Sequence, residues 1–267
     1  MKLNNGNYYS IEANQEYFSV SQYKDFVGTY AYKGCENQAL AKIRGDYKEE
    51  PSTALLVGSY VDSYFEGTLD EFKTNHPEIL KKDGTLKTEY LKADLMIERC
   101  KRDKKFMQYM SGEKQVIMTA DILGSKWKIK MDSYIPNKAI VDLKTVDDMY
   151  KPVYCGRENG KLSFIQARGY DLQLAIYQKV VEMNTGKRLP CYIAAVDKKE
   201  VPAIEIISLK QNELDGAIAG LDIGIKRIQL LKSGQAEPEK CGRCDYCKDT
   251  KIIQKPISMA DLINGVD

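Results

Sequence analysis

The chain has 267 residues, of which 43% are hydrophobic and 29% charged, with a formal net charge of +2. That length can bury a full core and those proportions are near globular averages, which excludes global disorder. No apolar run of about 18 residues is present, which excludes a membrane-spanning helix. The polar start, Met1 to Tyr9, lacks the apolar stretch of a secretory signal, so the expected compartment is the cytoplasm. So small a charge provides no global positive field. The clusters Lys101, Arg102, Lys104, Lys105 and Lys198, Lys199 read as solvated faces. His76 is the single histidine, lies beside Pro77 in a polar stretch and reads as a surface residue, so a histidine base is discounted.

Ser19 to Gly45 reads as a helical segment with a turn around Gly34. Ser52 is a good N-cap, and Leu55, Leu56, Tyr60 and Tyr64 recur at helical spacing, so 52–66 is expected to be a helix. Lys73 to Lys92 contains Pro77, Asp83 and Gly84 and reads as an exposed excursion. A longer helical pattern follows, to about Tyr109, and Ser111-Gly112 stops it. The period then changes to that of strands in Gln115 to Ile122, Lys126 to Ile135 and Ala139 to Val146, separated by turn residues. After a polar, glycine-containing connection, Phe164 to Met183 is helical again. Cys191 to Val196 and Ala203 to Ser208 are further strands, and Asn212 to Ser233 is the last long helix before a cysteine cluster and a polar tail. This order predicts an α/β fold with a central mixed β-sheet flanked by helices, in one domain over 1–267 with its core at about 19–235.

The chemistry concentrates between Trp127 and Thr145. If Pro136, Asn137 and Lys138 form a three-residue hairpin loop, counting outward pairs Asp132 with Asp142. Alternation then places Ile140, Asp142 and Lys144 on one face, and Ala139, Val141 and Leu143 on the other, which suits the core. Two facing carboxylates repel unless a cation sits between them. A hard divalent ion prefers such oxygen ligands, and it can polarise a phosphoryl group while a nearby lysine orients or deprotonates water. Taken alone, D-x-K is more often an ordinary surface ladder in which Lys144 relieves two facing aspartates.

The company of those residues changes the weighting. Lys130-Met131-Asp132, nine residues, then Asp142-Leu143-Lys144-Thr145 resembles motifs II and III of the PD-(D/E)xK nuclease superfamily, in its RecB/RecE-like branch. Gly58-Ser59-Tyr60-Val61-Asp62 fits the GxxxD/H helix that precedes them, and Gln173-Leu174-Ala175-Ile176-Tyr177 fits the QxxxY that follows. Gly58 and Asp62 are one helical turn apart, so the helix can approach the sheet and aim a carboxylate at a metal. Many members of the branch carry His where this chain has Asp62. Glu113 corresponds loosely to an auxiliary acid of some relatives. The resemblance implies a restriction-endonuclease-like core, with Mg²⁺ (or Mn²⁺) held by Asp62, Asp132, Asp142 and the Leu143 carbonyl. Lys144 would position or activate water, with Gln173 and Tyr177 supporting the site.

Seven cysteines are an odd count and do not look like a disulfide framework. Cys241, Cys244 and Cys247 supply three thiolates at CxxCxxC spacing, one short of a zinc site or a [4Fe–4S] cluster. CRISPR-adaptation nucleases and the AddB nuclease, which this chain resembles, hold such a cluster with one leading cysteine. That resemblance implies Cys35 as the fourth ligand and favours iron–sulfur, although the spacing itself leaves zinc open. Cys100, Cys155 and Cys191 read as core or surface thiols.

Among members of the branch, the chain looks most like phage and prophage exodeoxyribonucleases related to RecE. The resemblance implies resection of linear double-stranded DNA ends for recombination, with a RecT-type single-strand annealing protein as a partner and no membrane. A repair or adaptation nuclease beside a separate helicase, or a non-catalytic DNA-end-binding module, are the alternatives. No G-x-x-x-x-G-K-[ST] loop is present, so any motor would be another chain.

Overall fold

A computed structural model describes residues 1–259 of the chain. Three short helices open it: α1 (Ile11–Glu16), α2 (Val20–Val27) and α3 (Glu36–Arg44). Ser10 and Ser19 cap the first two, each side chain accepting from a backbone N–H of the first turn. The turn expected around Gly34 is present and spans 28–35. Ser52 caps α4 (Thr53–Glu66) by accepting from Leu55 N at 3.2 Å, as its position predicts.

The polar stretch after it is less exposed than expected. It contains α5 (Leu69–Asn75) and a 3₁₀ turn (Pro77–Ile79), and a bridge pairs Leu80 with Leu86. Ile79 is fully buried, so one apolar side chain pins the excursion to the core. The long helix expected next is two, α6 (Thr88–Lys101) and α7 (Lys104–Tyr109). Asp103 causes the break, because its carboxylate accepts from the N–H groups of Lys105 and Phe106 and starts a new helix.

The strands are β1 (Val116–Ile122), β2 (Ser125–Met131), β3 (Ser133–Ile135) and β4 (Ala139–Val146). A small hairpin of β5 (Val153–Tyr154) and β6 (Lys161–Leu162) encloses α8 (Gly156–Asn159) in the polar connection, where no strand was expected. The expected helix after it is split into α9 (Phe164–Ala167) and α10 (Tyr170–Thr185). Gly169 divides them, with φ at +62° in the left-handed region that favours glycine. β7 (Cys191–Asp197) and β8 (Ile204–Leu209) follow, then α11 (Gln211–Ile218) and α12 (Leu221–Lys232), where one helix was expected, and finally α13 (Asp245–Asp249). The polar tail is described to residue 259, and the rest of it lies outside the described residues.

The main sheet runs in the order β3-β4-β7-β8. β4 is parallel to β7 and the outer pairs are antiparallel, so the sheet is mixed, as predicted. A parallel pair requires a crossover, and the segment between β4 and β7 supplies it with α10. Both faces of the two central strands are covered. Ile140, Ile193 and Ala195 pack into the cluster that holds Tyr23, Trp127, Leu174 and Ile225. Ala139, Val141, Leu143, Ala194 and Val196 pack into the cluster of Val61, Met96 and Phe106. Strands covered on both faces are apolar almost throughout, which makes a charged residue on β4 conspicuous. No helix among the described residues is long and apolar enough to cross a membrane.

Candidate active site

The strand expected over Lys126–Ile135 breaks at Asp132, which stands in a bend between β2 and β3. Beyond the bend, Ser133 pairs with Val141, Tyr134 with Ile140 and Ile135 with Ala139, which closes the three-residue loop that the sequence predicts. Asn137 at its tip has φ of +61°, the left-handed residue such loops use. One more step along this register sets Asp132 beside Asp142. The bend turns its carboxylate inward, and Oδ2 accepts from Leu143 N at 2.9 Å.

Asp142 is 2% exposed, and a buried carboxylate must find partners. Gln173 Nε2 donates to its Oδ1 at 2.7 Å, and Lys144 Nζ lies 2.5 Å from its Oδ2. The same Gln173 nitrogen is 3.2 Å from the Tyr177 hydroxyl, which donates in turn to Lys130 O at 3.1 Å. Gln173 and Tyr177 are one turn apart on α10, so one helix face supplies both. The Lys144 ammonium also sits 4.8 Å from the centre of the Tyr170 ring.

Asp62 comes from α4. At Gly58, one turn earlier, a Cβ would stand 3.2 Å from Thr145 Oγ1, so the helix lies against β4 as closely as its missing side chain allows. Asp62, Asp132, Asp142, Leu143, Lys144, Gln173 and Tyr177 all line one cleft of about 700 Å³. The structure therefore brings every predicted member of the constellation to one wall system.

Burial, and then the Asp132 charge, hold the Asp62 carboxyl well above the usual carboxylate range. Burial and the Asp142 charge push Asp132 up to about 7. Burial works against the charged form of Lys144, but the Asp142 and Asp132 carboxylates outweigh it and hold the ammonium above the ordinary lysine range. Such pressure is what a bound cation relieves. The residues fit a divalent ion: the donors are all oxygens, the ligand type such an ion prefers, and the Lys144 ammonium already draws positive charge to Asp142 Oδ2. Asp62, Asp132 and Asp142 would hold it, with Leu143 on the same wall.

Other residues join or stay out. Glu113 is exposed, its backbone bridges to Tyr134, and it does not line the cleft. Glu66 lines the cleft instead, one turn beyond Asp62 on α4, and accepts from Gln115 Nε2 at 2.6 Å. Its helical spacing from Asp62 is the signal that could have found it. Lys24 also lines the cleft, over the Tyr170 ring at 5.3 Å, and nothing local in the sequence points to it. Burial, and then the charge of Lys144, bring Lys24 down to about 8. His76 stacks on Phe72 at 4.3 Å at the rim of the same cleft.

The cysteines form a second centre. Cys35 Sγ lies 3.6 Å from the sulfurs of both Cys247 and Cys244, and the four sulfurs, with Cys241, are within 4.8 Å of one another. The implied fourth partner is therefore in place, and residues 241–247 pack on the start of α3. Burial opposes ionisation of Cys241, but the N–H groups of Arg243 and Cys244 prevail and bring its thiol down to about 7. Four thiolates around one ion at a metal–sulfur distance of about 2.3 Å stand about 3.8 Å apart. Cys100, Cys155 and Cys191 are buried elsewhere, and burial pushes Cys100 and Cys191 up to about 12.

A family model described as a PDDEXK-like domain of unknown function matches residues 19–250. The crystal structure of a Eubacterium rectale protein, provisionally named an exonuclease, is 49% identical, covers 100% of each chain and superposes with a TM-score of 0.96. A further solved structure, SSO0001, is 16% identical over 82% of this chain and 93% of that one, with a TM-score of 0.32. No curated protein matches the chain. With its sheet, its D-x-K strand and a match over nearly the whole length, the chain belongs to the PDDEXK-like family, within the PD-(D/E)xK superfamily.

Proposed function

We propose that the chain is a metal-dependent DNA nuclease, a single catalytic domain acting as an exodeoxyribonuclease on linear double-stranded DNA. The observation that carries this reading is the buried Asp142, bridged by Gln173 and Lys144 and set beside Asp132 at one cleft wall. Mg²⁺ or Mn²⁺, when bound, supplies Lewis-acid polarisation of the scissile phosphate and a more acidic water. Asp62, Asp132 and Asp142 hold that charge. Lys144, kept as an ammonium by its carboxylate neighbours, orients the attacking water and steadies charge on the phosphate. Gln173 and Tyr177 keep Asp142 in one orientation.

The relative named as an exonuclease supports action at ends, and the RecE-like motifs support resection for recombination with a RecT-type annealing partner. At the cysteines we propose a structural metal that clamps 241–247 to α3. The sulfur separations favour a single zinc ion, and the resemblance favours a [4Fe–4S] cluster.

The test uses end-labelled linear duplex and closed circular DNA, with Mg²⁺ and with EDTA. Shortening of the linear DNA from its ends in Mg²⁺ alone is the expected result. Cutting of the circle removes the exonuclease assignment, and cutting in EDTA removes the metal mechanism.

A further inference from the structure

Two clefts meet at the candidate metal ligands. The first, of about 700 Å³, carries Tyr8, Tyr9, Lys24 and Lys130 on its walls. The second, of about 690 Å³, carries Lys151, Tyr154, Arg168 and Lys198. Ser59, Asp62, Leu143 and Lys144 line both. Asp62 and Lys144 thus stand at a neck between two open spaces, with Asp132 and Asp142 on the side of the first cleft.

The two mouths offer the same chemistry. Tyr9 is 69% exposed, and Lys130 Nζ lies 4.5 Å from the centre of its ring. Tyr154 is 64% exposed on a wall shared with Lys151 and Arg168, both exposed. Large exposed aromatics beside cations are what single-stranded nucleic acid uses, with bases on the rings and phosphates on the cations. A duplex keeps its bases stacked inside and has no free faces to place on Tyr9 or Tyr154.

We propose that a single DNA strand lies through both clefts, with the scissile phosphate at the neck and unpaired bases stacked on Tyr9 on one side and Tyr154 on the other. This rests on the nuclease reading above and narrows its substrate: the strand to be cut must be unpaired on both sides of the cut. Duplex ends are then attacked only where a few nucleotides fray or have been separated.

The test compares the full-length protein with Tyr9→Ala, Tyr154→Ala, Arg168→Glu and the double Tyr9→Ala, Tyr154→Ala variant, all at exposed positions. Fluorescence anisotropy in Ca²⁺ reads binding of an oligo(dT) of about 16 nucleotides, the upper end of known single-strand sites, and of a blunt hairpin duplex. Cutting of both is read in Mg²⁺. Each single variant is expected to weaken oligo(dT) binding about tenfold, the scale of one stacked base or lost phosphate contact, and the double variant to compound the loss. Duplex affinity should change by less than about twofold. Unchanged oligo(dT) binding in Tyr154→Ala and Arg168→Glu overturns the path through the second cleft, and so does equal loss on the duplex. Wild type that binds through both mouths but cuts nothing in Mg²⁺ or Mn²⁺ leaves the path standing and removes the nuclease reading. Matching melting curves exclude misfolding as the cause.

Discussion

Gln173 holds Asp142: its Nε2 donates to Asp142 Oδ1 at 2.7 Å, from a helix on one side of the sheet to the central strand. A buried metal ligand fixed by an outer partner loses about 10- to 100-fold in metal affinity or activity when that partner is removed. Gln173→Leu, similar in size and without a donor, is expected to raise the Mg²⁺ concentration for half-maximal cutting by about that factor. Gln173→Glu should do worse, since it sets a second carboxylate against Asp142. An unchanged Mg²⁺ titration for Gln173→Leu would show that Asp142 needs no such support.

Lys144→Ala should lower cutting by about 10²- to 10⁴-fold, the range for a positioned proton-transfer or orienting group. DNA binding in Ca²⁺ should survive, which separates an enzyme from a passive end-binding module. The same change strips Asp142 Oδ2 of the ammonium at 2.5 Å. A lower melting temperature in EDTA, partly recovered in Mg²⁺, is therefore expected as well.

The Asp132 carboxyl predicts a pH effect. Burial and Asp142 raise it from 3.8 to about 7 in the folded protein. Between those values the metal-free native state holds a proton that the unfolded chain has lost, so folding stability falls as pH rises through that window. Asp132→Asn cannot ionise and escapes that part of the slope, although Asp62 shifts in the same direction and leaves a remainder. In EDTA the melting temperature of Asp132→Asn relative to the parent should climb from pH 5 to pH 8. In Mg²⁺ the parent should regain the difference. Parallel pH profiles in EDTA would show that the Asp132 carboxyl is not raised in the folded protein.

Metal analysis decides the cysteine centre. One zinc per chain and no absorbance near 400 nm in anaerobically purified protein is expected from sulfurs within 4.8 Å of one another. Four irons with acid-labile sulfide and that absorbance would establish the cluster instead. Cys35→Ser should lower the melting temperature with either metal, by roughly 3 °C for each kcal/mol lost in a chain of this size.

Much of this site was legible because its determinants are local and periodic. Alternation along a strand puts Asp142 and Lys144 on one face, and helical spacing pairs Gly58 with Asp62 and Gln173 with Tyr177. The length of one loop sets Asp132 against Asp142. Those relations hold whatever the rest of the chain does.

Tertiary packing decided the remainder. Asp132 leaves the ladder to bond Leu143, Lys24 arrives beside Lys144 from α2, and Cys35 meets three sulfurs about 210 residues away. The expected single helices broke at Asp103 and Gly169, where a side-chain cap or a left-handed backbone outcompeted continued helix. The junction of two clefts at Asp62 and Lys144 depends on how α4, β4 and α10 pack together. Sequence spacing carries information along a turn or a strand, whereas the energies that bring distant segments into contact come from burial summed over the whole core.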